Sequence, residues 1–294
     1  MADHRGDQAA GLRRLLGRPQ LRILSFTAGG AGVGQSTSVA NLAASLARVG
    51  REVLIVDENA DAAVAGFFGA FATNDLQQVV SQEKRLDEVL VQVAPGIRVL
   101  PAARVVGQLG ALGEPERRTL LACLAELLPP ADVVLVDASL DHPLGFSPLG
   151  LAAQETVIVV PADVTAITEA YALIKKVSLG YAHRRFRILL NRVRSEAEAL
   201  AIHDNMARVT DSRRLARLEY AGWVPVDEQL RQASRLCQPV AALFPEAPAA
   251  QAYRALAEQV LNWPLRDDQQ GGLEHFVQLL LHLSQRIHAT AIYA

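Results

Sequence analysis

Six short runs dominated by Val, Ile and Leu recur along the chain with helical patterns between them: LRILSFT (21–27), EVLIVD (52–57), IRVLPA (97–102), DVVLVD (132–137), TVIVVPAD (156–163) and FRILLNRV (186–193). LEYAGWVPV (218–226) is a seventh candidate. Strands that are apolar on both faces need cover on both faces, so these runs predict a mostly parallel sheet between two layers of helices. That is a doubly wound α/β fold. In such a fold ligands lie beyond the carboxyl ends of the strands. The residues with chemistry to offer fall there: Thr27 leads into TAGGAGVGQST (27–37), two runs end in Asp57 and Asp137, and a third carries Asn191. One aspartate alone reads as a helix cap or turn residue. Four such sites converging on one end of a sheet read as a pocket.

The glycine-rich stretch meets the phosphate-loop pattern G-x-x-x-x-G-K-[ST] at Gly29, Gly34 and Ser36, but the lysine position holds Gln35. Its candidate phosphate contacts are Gly29, Gly30, Gly32, Gly34, Gln35, Ser36 and Thr37, through backbone N–H groups, the start of the following helix and two hydroxyls. Composition bounds the rest. With 294 residues, half of them apolar, the chain can bury the core of one α/β domain or two small ones. Lys and Arg number 29 against 31 Asp and Glu, so no global charge draws the chain to nucleic acid or an anionic membrane, and any such binding has to be local. Lys84, Lys175 and Lys176 are the lysines, so arginine supplies most of the positive charge. Cys123 and Cys237 sit in apolar, helical-looking stretches without metal-ligand spacing and read as core residues. The start MADHRGDQ has no signal-peptide character and no run approaches the ~18 apolar residues of a membrane span. A cytoplasmic location is expected.

Three segments are expected: an arm over 1–20, the α/β domain over 21–264, and a linker with an amphipathic helix over 265–294. The arm contains DQAAGLRRLL (7–16), a short helix set off by Gly17 and Pro19. In the tail helix Leu273, Phe276, Val277, Leu280 and Leu283 share one face, and the polar face carries a single arginine, Arg286. Interfacial anchors usually carry more cations than this. A membrane anchor, a helix docked on its own core and a dimer contact all stay open.

With the loop, Asp57, Asp137 and Asn191 in place, the chain resembles the MinD/ParA class of P-loop ATPases, and within it the FlhG/FleN regulators of flagellar number and placement. DQAAGLR, DLQQVVSQEKRLDEVLVQVAPGIRVLPAA (75–103), PADVTAITEAYALIKKV (161–177), LLNRVRSEAEAL (189–200) and VPVDEQLRQASRLCQPVAALFP (224–245) carry the likeness. The resemblance implies ATP or ADP with Mg²⁺, with Ser36, Asp57 and Asp137 around the metal if it binds and Asn191 toward the adenine. It also exposes departures. The class's signature lysine falls on Gly30 and its Walker lysine on Gln35. Its D-x-D pair becomes Asp57-Glu58-Asn59, and its phosphate-facing glycine becomes Asp141. Each lost charge-assisted hydrogen bond is worth roughly 1.5–3 kcal/mol, so nucleotide binding should be weak and hydrolysis deficient, with Asp57, Asn59 and Asp137 as vestiges of the catalytic set.

The arm matches the DQA-x-x-LR element through which FlhG-type proteins act on FlhF, a GTPase of the signal-recognition type. The resemblance thus implies partner contacts at Asp7, Gln8, Leu12 and Arg13, with Gln8 orienting the attacking water. It further implies a basal-body or transcription-regulator partner, a second copy of the chain, weak or conditional contact with the inner face of the cytoplasmic membrane, and no direct nucleic acid. The expected function is a non-hydrolytic regulator of flagellar number or placement that stimulates an FlhF-type GTPase. The alternatives are an active MinD-like ATPase switch cycling between cytoplasm and membrane, and a ParA-like partition or cellulose-synthesis relative.

Overall fold

Each Val/Ile/Leu run becomes a strand: β1 Arg22–Thr27, β2 Val53–Asp57, β4 Ile97–Pro101, β5 Val133–Asp137, β6 Glu155–Pro161, β7 Arg185–Val193 and β8 Arg217–Pro225. The computed structural model describes residues 21–60, 63–127, 131–140 and 146–264, and from the tail 276, 278–280 and 282. One strand escapes the sequence reading. β3, Val91–Ala94, is four residues long and half exposed, and pairs antiparallel to β4 across a turn in which Gly96 has φ +73°. So short and weakly apolar a run carries little periodic signal.

The strand order is β3-β4-β2-β5-β1-β6-β7-β8, parallel throughout apart from the β3–β4 pair. The chain builds outward from β1 in one direction, returns to β5, and then builds in the other direction from β6. The order therefore reverses beside β1, and in sheets of this kind it is at such a reversal, beyond the carboxyl ends of the strands, that ligands bind.

Helices cover both faces. They are α1 Gln35–Arg48, α2 Ala63–Phe67, α3 Leu76–Val80, α4 Leu86–Val89, α5 Ala103–Gln108, α6 Glu114–Glu126, α7 Pro148–Ala152, α8 Val164–Tyr181, α9 Glu196–Ser212, α10 Glu228–Arg235, α11 Val240–Leu243 and α12 Pro248–Asn262. α1 is small-residue-rich because it is buried on most of its circumference, between the sheet and α12. Two of its buried polar side chains, Ser38 and Asn41, find partners within the helix or across to α11. Ser38 Oγ donates to Gly34 O at 2.9 Å, Asn41 Nδ2 to Thr37 O at 2.8 Å, and Asn41 Oδ1 accepts Val240 N at 2.8 Å.

At the opposite end of the sheet a buried arginine ties three strands to α12. Arg187 lies 3.0 Å from both Glu155 and Glu219, with its guanidinium 4.0 Å from the centre of the Trp263 ring. Arg22 donates to Leu261 O at 2.7 Å and Trp263 O at 2.8 Å, satisfying carbonyls that the end of α12 leaves free.

Two expectations change. Cys123 is buried, but Cys237 is exposed. α10 ends at Arg235, and Cys237 follows in a left-handed turn, φ +52°, that carries it and its 58% exposed neighbour Leu236 out into solvent. In the tail, Phe276 and Leu280 are buried, at 3% and 2% exposure, in the cluster formed by α3, α5 and α6 on one face of the sheet. Leu279 packs there too. Of the three tail alternatives, their burial is what a helix docked on its own core would show. Leu273, Val277 and Leu283 lie outside the described residues, as do the whole arm, with Asp7, Gln8, Leu12 and Arg13, and Asp141. Among the described residues no helix is long and apolar enough to cross a membrane.

Candidate functional site: a phosphate loop with a neutral lining

The loop between β1 and α1 needs glycine for two separate reasons. At Gly29 a side chain has no room, because a Cβ would fall 2.3 Å from the backbone of Glu169 and Ala170 in α8. At Gly34 the backbone is left-handed, φ +92°, and a Cβ would meet Asn191 Nδ2 at 2.4 Å. Asn191 is spent on the loop itself: its Nδ2 donates to Val33 O at 2.7 Å and its Oδ1 accepts the N–H of Arg192 at 2.9 Å. Gly32 turns at φ +73° in open space. Ser36 and Thr37 stand half-buried in the first turn of α1, where the helix leaves N–H groups without intrahelical partners.

Gln35 turns inward. Its Nε2 donates to Asp137 Oδ1 and to Ala138 O, both at 2.7 Å. This orientation is the one that hydrogen bonding allows, since the flipped amide would set an oxygen against two acceptors. Its Oε1 is left buried without a partner. Ser36 Oγ donates to Asp137 Oδ2 at 2.6 Å, and Asn59 Nδ2 reaches Asp137 Oδ2 at 2.8 Å and Asp57 Oδ1 at 3.1 Å. Asp57 also accepts the N–H groups of Asn59 and of Val64, each at 3.0 Å, so it caps the start of α2.

A third carboxylate stands behind these two. Glu58 is buried and holds both ends of the segment after β5: Oε2 accepts Ser139 N at 2.9 Å, and Oε1 accepts the hydroxyl of Ser147, the N-cap of α7, at 2.5 Å. Among the described residues no lysine or arginine bonds to Asp57, Glu58 or Asp137. Burial without a cation favours the neutral acid. Desolvation first, and then the charge of Asp137 and Asp57, push Glu58 up to about 8. Desolvation and then the Asp57 carboxylate push Asp137 up to about 7, and Asp57 is raised chiefly by burial.

Residues 24–240 match the CobQ/CobB/MinD/ParA nucleotide binding domain. The chain belongs to that family. It is 32% identical to Antiactivator FleN of Pseudomonas aeruginosa over 89% of this chain and 94% of that one. It is also 32% identical to the chromosome-partitioning ATPase Soj of Thermus thermophilus, over 83% of this chain and 97% of Soj. Among solved structures, a chain of the MinC:MinD cell division protein complex of Aquifex aeolicus superposes with a TM-score of 0.63 at 20% identity, over 83% of this chain and 97% of that one. MinD of Pyrococcus horikoshii with Mg-ADP gives 0.60 at 24%, over 82% and 96%. At those identities the structures speak for the fold alone.

Against the magnesium nucleotide that MinD/ParA folds hold, the described residues keep the backbone of the cradle and lack its lysines. The tight glycine turn, the helix start and the Ser36–Asp137 contact are present. Residues 30 and 35 are Gly and Gln, and the guanidinium of Arg192 comes 3.8 Å from where a Cβ on Gly34 would stand. The amide at residue 35 points its donors at a carboxylate and leaves an acceptor behind, and three carboxylates crowd the same end of β2 and β5. A further anion overhangs the loop, because Glu169 Oε2 occupies space 2.1 Å from where a Cβ on Gly30 would stand.

No role was assigned from the sequence to Glu58, Ser147 or Glu169. Glu58 directly follows Asp57, and a charged residue inside a buried motif was a signal available there. Ser147 before Pro148 has the form of a helix N-cap. Glu169 reads locally as an exposed helix residue, and nothing in its segment shows that α8 crosses the loop.

Proposed function

We propose that this MinD/ParA-type regulator works without a nucleotide cycle, as an FlhG/FleN-like controller of flagellar number or placement. The observation that carries the reading is Asp137, whose two oxygens are held by Gln35, Ser36 and Asn59, so that the pocket is closed by its own neutral donors. The likeness to Antiactivator FleN along 94% of that protein supports the regulatory role. Bound ATP or ADP with Mg²⁺ would be weak, its contacts confined to the loop glycines, Ser36, Thr37 and the acid pair. The loop persists for its shape, since α8 lies too close to Gly29 for any other residue.

The working surface is the arm, residues 1–20. In this reading DQAAGLR docks on an FlhF-type GTPase through Asp7, Leu12 and Arg13, and the amide of Gln8 orients the attacking water. The arm needs no nucleotide of its own and so can outlast the pocket. The tail over 265–294 serves as cover for the α3–α5–α6 face, which the burial of Phe276 and Leu280 supports. Partner GTP turnover, measured with the full chain, tests the reading. The unaltered chain should raise it, Gln8→Ala should lower the stimulation at least about tenfold while pull-down of the GTPase persists, and no ATP turnover should accompany it. If Gln8→Ala stimulates as well as the unaltered chain, the arm is a docking element alone. ATP turnover that Ser36→Ala abolishes would favour the MinD-like switch instead.

A further inference from the structure

The chain is slightly acidic overall, yet residues 175–217 hold eleven Lys and Arg against four Asp and Glu. The fold gathers most of these cations at one corner. α8 runs back from the carboxyl end of β6 and α9 from that of β7, so both helices finish at the amino ends of β7 and β8. They lie on the same face of the sheet, where Ala170, Ile174 and Val177 of α8 share a cluster with Ala199 and Met206 of α9. Two left-handed residues, Ala182 at φ +56° and Arg214 at φ +51°, turn the chain from each helix into its strand.

The cations then fall together. Lys175 and Lys176 are exposed on the last turns of α8. Arg184 and Arg185 open β7, where Arg184 O accepts Arg217 N at 2.8 Å and Arg185 lies opposite Arg217. Arg213 and Arg214 are exposed in the neighbouring turn. Two acids stand nearby. Glu219 is shared between Arg187 at 3.0 Å and Arg217 at 3.7 Å, and Asp211 is exposed in the α9 turn. Two helix C-termini together carry about one unit of negative charge, which accounts for one or two of these cations and not for seven.

We propose that this corner is a docking surface for an anionic membrane leaflet. Its cations meet lipid phosphates, and Leu179, 66% exposed and one helical turn beyond Lys175 and Lys176, enters the headgroup boundary. Leu179 is what favours lipid over nucleic acid, because a leucine facing a phosphate backbone gains nothing. The nearby aromatic rings are also turned inward rather than offered to bases: Tyr181 packs on Phe146 at 4.2 Å and His183 on Phe186 at 4.9 Å. The surface is separate from the C-terminal helix, whose Phe276 and Leu280 are buried, and it stands whether or not the GTPase reading does.

The test is sedimentation of the full chain with phosphatidylcholine vesicles, with and without phosphatidylglycerol, at physiological ionic strength. Binding should require the anionic lipid and weaken with salt. Each basic residue near such a surface is worth about fivefold, so changing Arg184, Arg185, Arg213 and Arg214 together to Gln should lower partitioning at least about thirtyfold, with Lys175→Gln/Lys176→Gln and Leu179→Ser each costing less. These side chains are exposed, and unchanged thermal unfolding separates lost binding from lost folding. The proposal is overturned if the unaltered chain ignores anionic vesicles, if the four-arginine variant binds them equally well, or if binding disappears on removal of residues 273–294 alone. Retention of duplex DNA in place of vesicles, unaffected by Leu179→Ser, would assign the corner to nucleic acid and overturn it as well.

Discussion

The two ends of the sheet treat their carboxylates in opposite ways. At the amino ends of β6, β7 and β8, Glu155 and Glu219 share the guanidinium of Arg187, stacked over Trp263. At the carboxyl ends of β2 and β5, Asp57, Glu58 and Asp137 meet amides and hydroxyls. A buried cation between two acids holds charges in place; neutral donors leave the acids to take up protons. The end of the fold that carries the glycine loop thus holds its acids among neutral donors, while exposed positive charge is gathered at the far corner.

The largest effect should come from breaking the paired end. Arg187→Ala leaves two carboxylates facing a buried site without their cation and strips the stacking over Trp263, for an expected loss of about 3–5 kcal/mol in urea unfolding. A loss below about 1 kcal/mol would erase the contrast between the two ends.

The unpaired end should instead show itself through pH. Glu58 rises from an ordinary 4.5 to about 8, so between those values the folded chain binds more protons than the unfolded one. Stability should therefore fall as pH climbs from about 4.5 to about 8, with the full penalty present above that range. At about 1.4 kcal/mol for each tenfold in proton affinity the penalty is capped near 5 kcal/mol. Glu58→Gln removes the charge and, like the protonated acid, keeps one acceptor oxygen for the N–H of Ser139 while its other group donates to the Ser147 hydroxyl. It should be nearly neutral at pH 5 and stabilising at pH 9, flattening the pH dependence of thermal unfolding. A Glu58→Gln variant whose profile parallels the native one would locate the titration elsewhere.

The smallest effect sharpens the comparison. Gln35→Lys sets a cation 102 positions away in sequence but within reach of Asp137, whose oxygen already accepts from this residue at 2.7 Å. Asp137 should return toward the ordinary carboxylate range, with a gain of about 1–3 kcal/mol at pH 8. On the proposed reading ATP turnover should stay absent, because residue 59 is an amide that cannot take up a proton and Glu58 still crowds the site. Full turnover in this one variant would mean that the neutral lining, and not the acids behind it, was the whole defect.

Much of this architecture could be read before any coordinates. Seven apolar runs named seven strands, and the glycine loop, Asp57 and Asp137 were assigned to one end of a parallel sheet, because hydrophobic period and strand order are local properties that sequence writes directly. The absence of lysine at Gly30 and Gln35 was equally plain. β3 was not, being four half-exposed residues held by their pairing with β4, and neither was Cys237, which one left-handed turn moves from an apolar-looking helix into solvent.

What the sequence determined by itself was the fold class and the absence of lysine from the loop. What the tertiary structure alone decided was where the remaining charge would go. Gln35 meets Asp137 across 102 residues, Glu58 meets Ser147 across 89, and Glu169 reaches the loop because α8 crosses it. The basic corner exists because Arg185 and Arg217 fall opposite each other in register while two helices end beside them. Periodicity fixes which face of an element is buried. Electrostatics depends on distances between elements, and only packing sets those.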